Sequence, residues 1–294
     1  MDLFDKKDIK PMLIGLEKNP NNDTDYINEL KFDGIRCIAY LDKNEVDLRN
    51  KKNDKLLFRY PELSNINNQI KCEKLILDGE LVAFKDNKTD FYEMQKRSLM
   101  SNKFKIELEA KKNPISFVAF DILYKDGQQL THMELIKRKE ILSTSIQENE
   151  RLSISRFLEG NSIELYKFAE ENGLEGIVSK KKSSKYFFDK RTKDWIKIKC
   201  YEDKEFVIMG YDSDSILLGD FNNDRNLEYK GKVAFGISKY DWNIIKSISI
   251  NNTDGEHVWI EPLLVCTVKY MKNSKGLRQA VFKGIREDKY VNEI

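Results

Sequence analysis

Runs of Ile, Val, Phe and Tyr bounded by turn residues dominate the first 200 positions, and they confine the fold more than any other feature. Residues 26–42 (YINELKFDGIRCIAYLD), 74–84 (KLILDGELVAF), 115–124 (ISFVAFDILY), 174–181 (LEGIVSKK) and 194–199 (DWIKIK) each read as strand. Between them, residues 91–112, 133–148 and 162–172 space their apolar positions by three and four, as helices do. The last has Asn161 or Ser162 as N-cap and Gly173 as a stop. This mixture predicts an α+β domain built on antiparallel sheet.

The texture changes after Lys199. Residues 205–211, 215–221, 232–239 and 258–271 read as short strands, interrupted by one helical piece at 240–248. A small five-stranded β-barrel of the oligonucleotide-binding (OB) type suits that length. The expected domains are 1–200 and 201–294.

Charge and composition exclude several functions. The 51 basic and 49 acidic side chains leave a net charge of +2, so a nucleic-acid surface must be a local patch. No apolar run is long enough for a membrane span, and MDLFDKKDIKPML is not a signal peptide. Cys37, Cys72, Cys200 and Cys266 show no CxxC spacing, which argues against structural zinc or a disulfide framework and for reduced thiols in the cytoplasm. With only His132 and His257 present, the chemistry is expected to fall to Lys, Arg, Glu and Asp.

Five segments carry candidate chemistry. In ELKFDGIR (29–36), strand alternation puts Glu29, Lys31 and Asp33 on one face and sends Leu30 and Phe32 into the core. Asp33-Gly34 is a turn signal, so Lys31 lies near a strand end. A lone lysine there is commonly solvated surface. In DWIKIK, Lys197 and Lys199 share a face and repel unless an anion lies between them. Residues 179–199 hold nine basic side chains against Asp189 and Asp194, a phosphate-binding wall or else a solvated basic face. Asp78 and Glu80 of LDGEL share a face, and Glu175 opens the strand EGIVSK. Such carboxylates, with substrate phosphates, suit Mg²⁺. Strand parity sets Lys180 opposite Glu175, which weakens its case as a site residue. Phe120 lies on the face opposite Asp121, either as core or as a ring that stacks a base.

These segments, in this order, resemble the motif set of the covalent nucleotidyltransferases: ATP-dependent DNA ligases, RNA ligases and mRNA capping enzymes. The set comprises ELKFDGIR, DLRNKK followed by RYPEL, LDGEL, FVAFDIL, LEGIVSK, DWIKIK and FKGIREDK (282–289). The forms FDILYKDG, DFYEMQKR and REDK are closest to minimal bacterial and phage DNA ligases. The resemblance implies an ATP-grasp-like nucleotidyltransferase domain followed by an OB-fold domain. It also implies that Lys31 is the nucleophile that takes AMP, that Glu29 holds the adenine edge and that Phe120 stacks on the base. Arg36 would lie near the adenylate phosphate, and Arg49 near the ribose or the nick phosphate. Glu80 would contact ribose or metal, and Glu175 the metal. Lys197 and Lys199 would grip the α-phosphate with Arg191 nearby, and Arg286, Asp288 and Lys289 would orient the β- and γ-phosphates. Only 30 residues precede Lys31, so no nicotinamide-recognising domain is expected and ATP is the implied donor. Mg²⁺ or Mn²⁺ is the implied metal.

The implied substrate is nicked double-stranded DNA, sealed by a monomer in replication, repair or recombination, with accessory DNA-end or clamp proteins as further partners. An RNA ligase or capping-type enzyme, and a non-catalytic nucleic-acid-binding OB protein, are the rival readings. A phosphate monoester has no good leaving group, so AMP must first be attached to the 5′-phosphate, and a lysyl-AMP intermediate splits that task into two transfers. An attacking lysine must be neutral, which neighbouring cations favour. The same cations stabilise the charge that develops on the phosphoryl group.

Overall fold

The Asp33-Gly34 turn breaks the run 26–42 in two and sends the halves, Tyr26–Leu30 and Ile35–Asp42, to different sheets. Only glycine fits at the crossing: a Cβ on Gly34 would lie 2.1 Å from the Leu81 carbonyl oxygen. The computed structural model describes residues 2–15, 19–85, 88–271 and 276–294. It divides into two units, Met1–Lys199 and Cys200–Ile294.

Five strands form the first sheet of the amino-terminal unit, in the order Leu13–Gly15, Arg191–Lys199, Gly176–Lys181, Tyr26–Leu30, Phe157–Glu159. A second sheet runs Val46–Arg49, Ile35–Asp42, Lys74–Lys85, Ile115–Lys125, Gln128–Gln129, with Lys88–Thr89 and Leu152–Ile154 attached at its margins. Pairing is antiparallel except for two contacts. Leu13–Gly15 runs parallel to Arg191–Lys199, and Leu152–Ile154 runs parallel to Ile115–Lys125.

The second sheet is buried on both faces, which is why its strands read as nearly unbroken apolar runs. Ile38, Tyr40 and Ile76 pack with Ile27, Tyr186 and Trp195 of the first sheet's side. Their neighbours Cys37, Ala39, Leu41, Leu75 and Leu77 point the other way, into a core with Leu63, Met94 and Leu142. The helices cover that outer face. Residues 91–112 form two helices, not one: Phe91–Ser98 and Lys103–Lys112. The break follows from Asn102, whose side chain accepts the Lys105 amide at 3.0 Å and starts a new helix. Leu135–Ser145 completes that layer, whereas Ser162–Glu171 packs on the first sheet, with Asn161 at its N-cap and Gly173 at φ +68 beyond its end.

The carboxy-terminal unit departs from expectation in its strands. Its described residues form one seven-stranded sheet. Tyr201–Tyr211 pairs with Ile216–Phe221, Val258–Ile260 and Val265–Met271 in turn. The third strand is Leu227–Val233, so the expected 232–239 strand ends at its second residue, before Gly236 at φ +87. The run 258–271 splits around Pro262, which cannot donate to a ladder. Lys239–Ser247 is helical and carries a capping box between Ser238 and Asp241. No helix among the described residues is long and apolar enough to cross a membrane.

One buried ion pair ties the helix Leu135–Ser145 to both layers. Arg138 and Asp121 are fully buried, and Arg138 donates twice to the carboxylate at 2.8 Å. Its remaining nitrogen reaches the carbonyls of Met133 and Ser184 at 2.6 and 3.0 Å. Arg138→Ala strands a buried carboxylate and is expected to cost about 3–5 kcal/mol of stability in a urea titration. A loss below about 1 kcal/mol would show the pair to be dispensable.

Candidate active site

Strand register alone brings the principal side chains together. Glu29 lies opposite Val178, and Val178 opposite Lys197. Two residues further on, the Lys31 amide donates to the Gly176 carbonyl at 2.8 Å, and Gly176 lies opposite Lys199. Lys31, Glu175 and Lys199 thus meet at one end of three adjacent strands. Gly176 is at φ +139, and a Cβ there would lie 2.1 Å from the Ile198 carbonyl oxygen, so only glycine permits this closure. The Glu175 carboxylate bridges the two lysines: Oε2 is 2.5 Å from Lys31 Nζ and Oε1 is 3.4 Å from Lys199 Nζ. Burial, then repulsion from Lys31 and Lys197, lowers the Lys199 ammonium against the attraction of Glu175.

Lys31 lines a cleft together with Ile14, Glu29, Leu30, Phe32, Arg36, Glu80, Phe120, Val178, Lys180 and Trp195. Leu30 and Phe32 therefore face the cleft and not the core, because the strand ends at Leu30. Phe120 and Trp195 meet edge to face at 6.2 Å. Arg36 lies over both rings and is held from behind by Asp78, with Nε and Nη2 at 3.0 and 2.6 Å from its oxygens. The Tyr186 hydroxyl donates to the same Asp78 at 2.6 Å and accepts the Met12 amide at 3.0 Å.

Two titrations mark the cleft. Burial pushes the Glu80 carboxyl up to about 8, with Glu175 and Asp78 adding repulsion and Lys31 and Arg36 opposing it. Burial and repulsion from Lys139 push Lys180 down to about 8 although Glu29 attracts it. Glu29 is buried beneath the cleft. It accepts from Lys180 at 2.8 Å and from Ser155 at 3.1 Å, and pairs with Lys139. Burial acts to raise the Glu29 carboxyl, but the two lysines hold it below the usual carboxylate range.

Parity with Glu175 weakens the case for Lys180, and the structure corrects that. The strand begins at Gly176, so alternation does not extend back to Glu175. Lys180 projects into the cleft, 4.2 and 4.3 Å from the centres of the Phe120 and Trp195 rings. Trp195 was readable from its shared parity with Lys197 and Lys199. Lys139, Ser155 and Tyr186 carried no sequence signal, being remote in the chain and ordinary in type.

Two expected residues lie elsewhere. Arg191 starts the strand whose far end holds Lys197 and Lys199, and it donates to the Ile14 carbonyl. The strand bulges between Arg191 and Ile196, which pair with Leu13 and Gly15, and Arg191 does not line the cleft. Arg49, on the edge strand, does not line the cleft; it pairs with Asp47 and donates to the Lys7 carbonyl at 3.0 Å. In the carboxy-terminal unit, Arg286 and Lys289 share Glu205, and Asp288 takes the other edge of Arg286. Among the described residues no cluster of three or more His, Cys, Asp or Glu forms a ready-made metal site. Glu80 and Glu175 are near enough for one to raise the other, and a cation between them would relieve that repulsion. Two carboxylates completed by substrate phosphates is a donor set that suits Mg²⁺.

Comparison with known proteins places these features. Residues 11–199 match the family described as ATP dependent DNA ligase domain, and residues 210–289 match the ATP dependent DNA ligase C terminal region. The chain is 30% identical over 274 residues to the SPbeta prophage-derived DNA ligase-like protein LigB of Bacillus subtilis, covering 91% of this chain and 94% of that protein. It is 29% identical to the multifunctional non-homologous end joining protein LigD of Pseudomonas aeruginosa, over 97% of this chain and 36% of the longer protein. Among solved structures, mycobacterial DNA ligase D complexed with ATP and MES matches with a TM-score of 0.59 at 23% identity, covering 98% of each chain. A Lig E DNA ligase matches with a TM-score of 0.61 at 19% identity, over 93% of this chain and 100% of that one. These likenesses establish a nucleotidyltransferase fold followed by an OB fold.

The depressed Lys180 gives a pH prediction. Its folded pKa of about 8 lies below the ordinary lysine value of 10.5, so the folded state binds fewer protons between those values. Stability then rises with pH across that window and is lost as pH falls through 8. The stability of the parent relative to Lys180→Met should therefore increase between pH 8 and 10.5 in urea titrations. A constant difference would contradict the depressed value.

Proposed function

This chain belongs to the ATP-dependent DNA ligase family, and on that premise we propose that it seals nicks in double-stranded DNA through an AMP held on Lys31. The observation that carries the proposal is the position of Lys31 Nζ, 2.5 Å from Glu175, on a residue that lines one cleft with Phe120 and Trp195. In this reading Lys31 Nζ attacks the α-phosphorus of ATP, a nitrogen–phosphorus bond forms and pyrophosphate leaves. Glu175 is the nearest acceptor for the lysine proton. A 5′-phosphate oxygen then displaces Lys31, and the 3′-hydroxyl finally displaces AMP from the phosphate.

The remaining residues bind and orient. Phe120 stacks on the adenine, and Lys180 and Glu29 sit at its edge. Arg36, fixed from behind by Asp78, turns its free edge to the adenylate phosphate. Lys197 and Lys199 hold the α-phosphate. Arg286 and Lys289 orient the β- and γ-phosphates from the second unit, a task for a mobile part that leaves after the first step. Glu80 and Glu175 would hold Mg²⁺ or Mn²⁺, which supplies charge neutralisation at the phosphates. A monomer acting in the cytoplasm, assisted by accessory DNA-end or clamp proteins, completes the proposal.

Nick sealing on paired DNA and RNA substrates tests the activity, and single-turnover comparison of plain and pre-adenylated nicks tests the roles. Lys31→Ala should lower sealing of a plain DNA nick by at least about 10⁴-fold. Arg286→Ala or Lys289→Ala should lower it about 10²-fold, yet leave sealing of a nick that already carries AMP within about threefold. Lys199→Ala should impair both substrates, since the α-phosphate is present throughout. Equal losses on both substrates for Arg286→Ala would remove the pyrophosphate role.

A further inference from the structure

Arg36 and Arg286 are gripped in the same way from one side. In each, an aspartate takes Nε and Nη2: Asp78 at 3.0 and 2.6 Å for Arg36, Asp288 at 2.8 and 2.7 Å for Arg286. They differ at Nη1. For Arg36 that nitrogen makes no hydrogen bond to a described residue. For Arg286 it donates to Oε1 of Glu205, while Oε2 of the same carboxylate accepts from Lys289 Nζ at 2.7 Å. The aspartate already orients the guanidinium, so Glu205 is not needed for that purpose. It instead covers the donors that face outward.

A carboxylate offers two oxygens from one centre and a negative charge, as a phosphoryl group does, and arginine accepts either by the same paired geometry. The cluster of Arg286, Lys289, Glu205 and Asp288 is formally neutral, so it presents no excess positive charge to a polyanion while Glu205 stays in place. On the reading that Arg286 and Lys289 orient the β- and γ-phosphates of ATP, we infer that Glu205 is an internal stand-in for the polyphosphate. It occupies the phosphoryl position between the two cations and leaves when nucleotide arrives. Exchange of one anion for the other keeps both cations paired in each state. It also keeps two neighbouring positive charges from repelling each other, or from taking up DNA phosphates, before ATP binds. Glu205, Arg286 and Lys289 are each partly exposed, so the carboxylate can return to water when displaced.

The test is single-turnover adenylation over a range of ATP concentrations. Glu205→Gln keeps the shape and removes the charge. It should lower the half-saturating ATP concentration by about three- to ten-fold, the scale of a partly exposed ion pair. Its maximal adenylation rate and its sealing of pre-adenylated nicks should match the parent. A purely structural glutamate would behave differently, lowering the maximal rate and the thermal midpoint without easing the ATP requirement. A folded Glu205→Gln with an unchanged or raised half-saturating concentration overturns the inference. Should that variant fail to fold, Glu205→Asp reaches only one cation at a time and must show a smaller fall; no fall overturns the inference equally. Arg286→Ala in the same assay separates the two levels. If it adenylates like the parent, the phosphate reading itself is wrong. If it is crippled while Glu205→Gln leaves the ATP requirement unmoved, that reading stands and the role of Glu205 is withdrawn.

Discussion

One carboxylate shared by two lysines organises the centre of this protein. Lys31 and Lys199 would repel at the ends of neighbouring strands, and Glu175 holds them together. That arrangement needs the Lys31 amide on the Gly176 carbonyl, and it needs Gly176 to bring its backbone against Ile198. The register of three strands and the turn at Gly34 follow from the same requirement. Lys31 lies where the chain leaves one sheet for the other, so its partly buried side chain lines the cleft while its backbone stays in a ladder.

Around that seam the protein spends its buried charge in matched sets. Glu29 lies between Lys139 and Lys180, Asp78 supports Arg36, and Asp121 supports Arg138. Asp78 sits behind Arg36 as seen from the cleft, Glu29 lines the cleft beside Lys180, and Arg138 is buried away from it. An arginine or lysine fixed from behind offers its remaining donors forward with little further loss of side-chain entropy, which is how a site is preorganised for phosphate. This explains how a chain of net charge +2 can assemble a strongly cationic centre. Positive groups are concentrated by position, and their counter-charges are buried beside them.

The sequence was informative where periodicity and local signals act, and silent where the fold brings distant residues together. Strand runs marked most of the amino-terminal sheets, and shared parity grouped Lys197 with Lys199. Parity failed at Glu175 and Lys180, because the strand starts between them at a glycine with positive φ. Periodicity also missed the helix break at Asn102, where a capping side chain outweighs a continuous apolar spacing. Arg191 illustrates a second limit: a bulge between it and Ile196 interrupts the strand alternation that groups Lys197 with Lys199. Lys139, Ser155 and Tyr186 reach Glu29 and Asp78 from a helix and two loop segments, which no local pattern links to ELKFDGIR.

The most direct test of the central role given to Lys31 is intact-mass measurement after incubation with ATP and Mg²⁺, followed by peptide mapping of the product. One added AMP, located on Lys31 and released by excess pyrophosphate, is the expected result. A folded, nick-sealing protein that carries no adduct, or carries it on another lysine such as Lys180 or Lys199, would contradict the assignment of Lys31 as the nucleophile.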